Sequence, residues 1–312
     1  MLKYLIILLD DSSVSYCHYS NSNQRRIMPK ETLKQGILFA MKHDLKIQYV
    51  LPPYALEQDY QELIDSMFHD TIGAIEQNEM AEIIVVNDFG NMDKGLLKAS
   101  KRYIIRTSIT DFLNDYKLFE SVIRRGVNFN VVFTDVEQFT DDKIGLYRNA
   151  LSDIGVWIKE AVLNGVAINT NIITDRIALD AMNNCGAGYT SVTLAPDGVF
   201  YPCPAFYYDK QPYGEIGNIE TGLNIRSPKL YTLEGAPLCK RCDAFHCKRC
   251  VWLNKKLTCE INTPSRQQCV MAHVERNASR GVLIAFHKLN LLKDKKIKKV
   301  DYLDPFEAYQ NI

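Results

Sequence analysis

Nine cysteines are the side chains of this 312-residue sequence best suited to chemistry, and eight of them fall between positions 185 and 269. Their order is Cys185, twelve residues, Gly198, four residues, Cys203; after a long gap come Cys239-x2-Cys242-x4-Cys247-x2-Cys250, then Cys259 and Cys269. A CxxC pair lets one tight turn aim two thiolates at a common metal, with backbone amides facing the sulfurs. One such pair is a weak signal. Two pairs four residues apart, beside four outlying cysteines, read as a metal-cluster segment. Two metals stay open. Tetrahedral zinc would use Cys239, Cys242, Cys247 and Cys250 and leave the other four unexplained. Two four-iron clusters call for about eight thiolates, which this segment contains. Lys240, Arg241, Lys248 and Arg249 interleave with the sulfurs and would offset the negative charge of either kind of centre. Cys17, the ninth cysteine, with His18 beside it, reads as a loop thiol with a neighbouring histidine.

The thiols are expected to be reduced. The apolar run Tyr4–Leu9 is followed at once by Asp10 and Asp11, too short for a signal-peptide core or a membrane span. A cytoplasmic location follows as the expectation, and there metal ligation outcompetes disulfides. Hydrophobic residues at 46% and charged ones at 24% match a globular chain with a buried core. The formal net charge is +0, so no nucleic acid or membrane partner is expected. The basic run Lys293–Lys299 reads as a solvated helix end or loop rather than a nucleic-acid site.

The elements that must position the cysteines come before them. Near-continuous apolar runs at Tyr4–Leu9, Leu45–Leu51, Glu82–Val86, Arg102–Arg106, Phe129–Phe133 and Ile168–Ile173 predict strands buried on both faces. Amphipathic stretches at Glu31–Lys42, Leu56–Phe68, Ile109–Arg124 and Asp141–Val162 predict helices between them, with Thr110-Asp111 and Thr140 as start signals. Repeated strand-then-helix units imply a parallel α/β sheet, either open or a partial barrel. Its working surface is at the strand carboxyl ends, where Asp10-Asp11, Asn87-Asp88, Thr107-Ser108, Thr134-Asp135 and Thr174-Asp175 collect. Taken singly, each of these pairs reads first as a cap or turn. No glycine-rich phosphate loop follows the first strand. Beyond Ala181, Tyr189–Leu194, the Pro196-Asp197-Gly198 turn and Val199–Tyr201 predict a hairpin. The Gly-, Pro-, Asn- and Tyr-rich run from Pro204 to Pro237 suits a small domain held together by metal.

The cysteine order resembles the SPASM domain, the twin-cluster module of radical SAM peptide-modifying enzymes. Cys185-Gly186-Ala187-Gly188, Pro196 through Cys203 and Gly217-Asn218-Ile219 sit where that module has their counterparts. Two spacings, four and two residues here, are each one shorter than its commonest form. The resemblance implies an α/β fold, a partial (βα)6 TIM-like barrel followed by a small cysteine-rich domain. It divides the chain into 1–184 (barrel), 185–275 (SPASM) and 276–312 (a tail packing on the barrel). It implies two 4Fe–4S clusters, with zinc as the alternative. One takes Cys239, Cys242, Cys247 and Cys269. The other takes Cys185, Cys203 and Cys250, with either Cys259 as its fourth ligand or the fourth iron left open. Cys259 reads equally as a buried free thiol.

The family's loop after the first strand carries Cys-x3-Cys-x2-Cys; here the aligned positions are Asp10, Val14 and Cys17. The expected glycine-rich turn after the second strand is Leu51-Pro52-Pro53-Tyr54 instead. A degenerate radical SAM core without a radical-generating site is therefore expected, and S-adenosylmethionine is not expected as a cofactor. The segment Leu8 through Tyr19, joined to an intact SPASM cysteine set, resembles the CXXX repeat peptide maturase family. That resemblance implies maturation of a cysteine-rich precursor peptide by electron relay or thiolate ligation. Two rivals are an adaptor presenting the peptide to a separate radical SAM enzyme, and a zinc-stabilised binding module.

Overall fold

The structure, a computed structural model, describes residues 2–209 and 214–296. The strands are β1 Tyr4–Leu8, β2 Lys46–Val50, β3 His69–Ala74, β4 Ile83–Val86, β5 Arg102–Thr107, β6 Asn128–Phe133, β7 Ser191–Leu194 and β8 Phe200–Tyr201. The helices are α1 Lys30–Lys42, α2 Gln58–Ile64, α3 Ile109–Asp115, α4 Phe119–Arg124, α5 Asp141–Leu163, α6 Thr174–Ala178, α7 Pro204–Asp209, α8 Pro237–Lys240, α9 Val251–Thr258 and α10 Arg266–Lys288. They form an α/β chain built on parallel strands and divide into two compact units.

The first unit comprises Met1–Val86 and Gly186–Gly235. Its sheet runs β4-β3-β2-β1-β7-β8, parallel except for the β7–β8 hairpin. β1 lies in the middle, and Leu5, Ile7 and Leu8 are fully buried, as a strand covered on both faces requires. α1 packs its Leu33, Ile37 and Ala40 stripe into the same apolar core as Tyr49, Val192, Leu194 and Phe200. β3 was not legible as a strand: His69, Asp70, Thr71 and Gly73 dilute its apolar content, and pairing on both edges overrides that weak propensity.

The second unit comprises Asn87–Cys185 and Ala236–Ile312. β5 and β6 pair in parallel over six residues. The strand predicted at Ile168–Ile173 is corrected to a single bridge, Thr170 opposite Phe129. The Asn171 side chain pairs with both backbone groups of Val131 there and substitutes for further ladder bonds. The helix predicted over Ile109–Arg124 breaks into α3, a 3-10 turn and α4. The 23-residue helices α5 and α10 pack together. Position 276, the expected start of the tail, lies inside α10; residues 297–312 of that tail are outside the described residues. No helix among the described residues is long and apolar enough to cross a membrane.

Several polar pairs at strand ends act locally. The Ser108 hydroxyl accepts the Asp111 amide to cap α3, and the Asp135 carboxylate accepts the Ile109 amide at 2.8 Å.

Candidate metal centre

The thiol-rich segment of the second unit is built from tight turns and helix starts. Pro237 opens α8, and its last turn carries Cys239, which is buried. The Cys242 amide closes on the Cys239 carbonyl at 3.1 Å, and the Ala244 amide donates to the Cys242 sulfur at 3.4 Å. A second turn closes from the Cys247 amide to the Ala244 carbonyl at 2.9 Å. Cys250 is the N-cap of α9, its sulfur accepting the Leu253 amide at 3.4 Å. A helix N-terminus favours negative charge, and this sulfur sits at one. The segment before Cys185 is stitched to the second CxxC: the Asn183 amide donates to the Phe245 carbonyl and the Cys185 amide to the Lys248 carbonyl, each at 2.8 Å.

Arg249 sits at the centre of this arrangement. It is 2% exposed and adopts a left-handed backbone, φ +44°, a conformation uncommon for a non-glycine residue. Its Nε donates to the Asn184 side-chain oxygen at 2.8 Å. Burial lowers the guanidinium pKa, while the thiols of Cys239, Cys185, Cys247 and Cys250 oppose that shift. Burial pushes the Cys239 thiol up to about 11, with Arg249 opposing and Cys242 adding to the rise. Cys247 is pushed up to about 12 by burial, opposed by the Arg249 amide and reinforced by Cys239, Cys242 and Glu275. Cys239, Cys242 and Cys247 thus lie within one another's electrostatic reach.

Helix α10 closes the segment. Ser265 and Gln268 form a reciprocal capping box at its start, and the Gln268 side chain also bonds Asn254 of α9 at 3.1 Å. One turn on come Cys269 and, four residues later on the same face, His273. His273 Nε2 is 3.5 Å from the Cys242 sulfur. His273 was missed in the sequence, although Cys269-x3-His273 on a helix is a readable signal. So was Asp243, buried between the two CxxC pairs and ion-paired to Arg276 at 2.8 Å.

The remaining predicted ligands sit elsewhere. Cys259 is exposed and caps α9 in a left-handed conformation, so the buried-thiol reading of it is corrected. Cys203 belongs to the first unit, within electrostatic range of Tyr231. Among the described residues no three His, Cys, Asp or Glu side chains are gathered closely enough to hold one metal ion. A thiolate-ligated centre, iron–sulfur or zinc, would nevertheless answer the charge at this site. A guanidinium buried among thiols is costly without counter-charge, and a cluster held by thiolates is a net anion there.

The loop after β1 is packed differently. Asp10 is fully buried and accepts from the Ser12 amide at 2.8 Å and the Tyr54 hydroxyl at 2.9 Å. Val14 is buried and its amide donates to the Leu51 carbonyl at 3.1 Å. The Tyr207 hydroxyl donates to Asp11 and accepts from Arg26, and Tyr19 stacks on Tyr208.

Solved structures share this fold. The chain superposes on anSMEcpe with bound AdoMet at a TM-score of 0.61 and 13% identity, covering 91% of this chain and 98% of that one. It matches anSMEcpe with bound AdoMet and Cp18Cys peptide at the same TM-score and identity, covering 93% and 100%. The chain therefore shares the fold of anSMEcpe. No protein-family model and no curated protein matches the chain.

Proposed function

We propose that this chain binds a cysteine-rich peptide and acts in its post-translational maturation, with the thiols of the second unit as its metal centre. The observation that carries the reading is Arg249, buried among Cys239, Cys185, Cys247 and Cys250. Support for a peptide comes from the shared fold, since one anSMEcpe structure holds AdoMet together with the Cp18Cys peptide. Cys239, Cys242, Cys247 and Cys269 would hold one iron–sulfur cluster. Cys185 and Cys250 would serve a second, which Cys203 and Cys259 join on sequence position alone. When bound, such a cluster supplies one-electron transfer or an iron that accepts a soft sulfur donor. Arg249 balances the charge, the Ala244 and Leu253 amides orient the Cys242 and Cys250 sulfurs, and His273 contacts Cys242 from α10. A substrate of the CXXX repeat class fits this sulfur chemistry.

A second reading has its own observation. Where the resembled family carries three cysteines after the first strand, Asp10 and Val14 are buried in a hydrogen-bonded loop. An adaptor that presents the peptide to a separate radical SAM enzyme needs no radical site of its own.

Anaerobic purification tests the metal: about eight iron and eight sulfide per chain are expected, and Cys247→Ser is expected to lower both while Cys17→Ser leaves them unchanged. One or two zinc ions without iron would replace this reading with the zinc-stabilised module. Adding a CXXX repeat peptide should perturb the EPR spectrum of the reduced protein. Turnover by the purified chain alone would exclude the adaptor.

A further inference from the structure

A second polar site lies in the same unit, built around Asp243, the residue after Cys242. Arg176, Arg276, Arg280 and Lys296 line a narrow cleft, with room for about one water-sized group, together with the buried Ser279. Asp243 pairs with Arg276 at 2.8 Å, Arg176 at 3.6 Å and Arg280 at 3.9 Å. The short contact goes to Arg276, which leaves Arg176 and Arg280 only long pairings with that carboxylate. Arg176 shows the shortfall: it is 5% exposed, its Nε has no hydrogen-bond partner, and its Nη2 has only the long ion pair to Asp243 at 3.6 Å. Burial lowers its pKa, Asp243 opposes, and the charges of Arg276 and Arg280 lower it further. The Ser279 hydroxyl is occupied by the Ile173 and Glu275 carbonyls, so the free donors are cationic ones. Planar guanidiniums and a mobile ammonium around a small opening are the chemistry that holds carboxylate or phosphate oxygens.

We propose that this cleft is a binding site for one small oxyanion group, held by Arg176, Arg280 and Lys296 on a base of the Arg276–Asp243 pair. Its occupancy is read as heat of binding, without reference to iron. Isothermal titration of the anaerobically purified chain, at constant ionic strength set with chloride, provides the test. Inorganic phosphate, sulfate and acetate are the probes. Saturable binding at one site per chain is expected, stronger for acetate if the natural group is a carboxylate and for phosphate if it is a phosphoryl group. Arg280→Ala and Lys296→Ala, both at partly or fully exposed side chains, are each expected to weaken it about tenfold. Lys296→Ala carries the test by itself if Arg280→Ala alters the fold. Absence of saturable heat with all three probes overturns the site, as does equal affinity in wild type and Lys296→Ala.

Discussion

The imidazole of His273 reaches the sulfur of Cys242, 3.5 Å away and 31 residues earlier in the chain. The contact ties the first CxxC turn to the face of α10 that also carries Cys269. His273→Ala should therefore weaken metal retention about 10- to 100-fold, the usual cost of losing a group that orients a ligand. Competition of the reduced protein against an iron chelator measures it. Retention equal to wild type would remove His273 from the centre.

Arg249→Met separates metal binding from folding. In the metal-free chain it removes a buried cation and should leave stability equal or higher, since apolar replacements of buried charges are often neutral or favourable. In the metal-loaded chain it removes the counter-charge and should lower iron content. Urea unfolding of the apo protein and iron analysis of the loaded one are the paired measurements.

Asp243→Asn leaves Arg176 and Arg276, both almost fully buried, facing each other without their carboxylate. A loss of about 3–5 kcal/mol is expected in denaturant unfolding of the second unit. A loss below 1 kcal/mol, roughly the value of a surface pair, would mean that the cluster is already compensated.

Tyr147 donates to Glu275 at 2.6 Å, and Glu275 also holds His246 at 2.9 Å. Tyr147→Phe should cost about 1–3 kcal/mol, because it leaves a buried carboxylate oxygen short of a donor. Burial first, then Glu275, raises the Tyr147 pKa well above 10.0. The native state therefore keeps the proton longer than the unfolded chain does. This contribution is fully present below pH 10 and declines as pH rises above it. Wild type and Tyr147→Phe should converge in stability in alkaline melts.

The sequence alone determined the parallel α/β architecture, because apolar runs such as Tyr4–Leu9 can be satisfied only between two covered faces. It also marked out the thiol segment, because CxxC spacing encodes a local turn, and the turns from Cys239 to Cys242 and from Ala244 to Cys247 depend on few distant residues. Only the tertiary structure decided what surrounds those sulfurs. Arg249 looked like one of four interchangeable basic residues until burial set it apart among four thiols. Asp243, His246 and Cys242 acquired partners on α10 that lie between 29 and 33 residues away in the chain. β3 existed only through its neighbours on both edges. A side chain's charge state and a weak strand's pairing are set by what the rest of the chain packs against them, and local spacing carries no record of that.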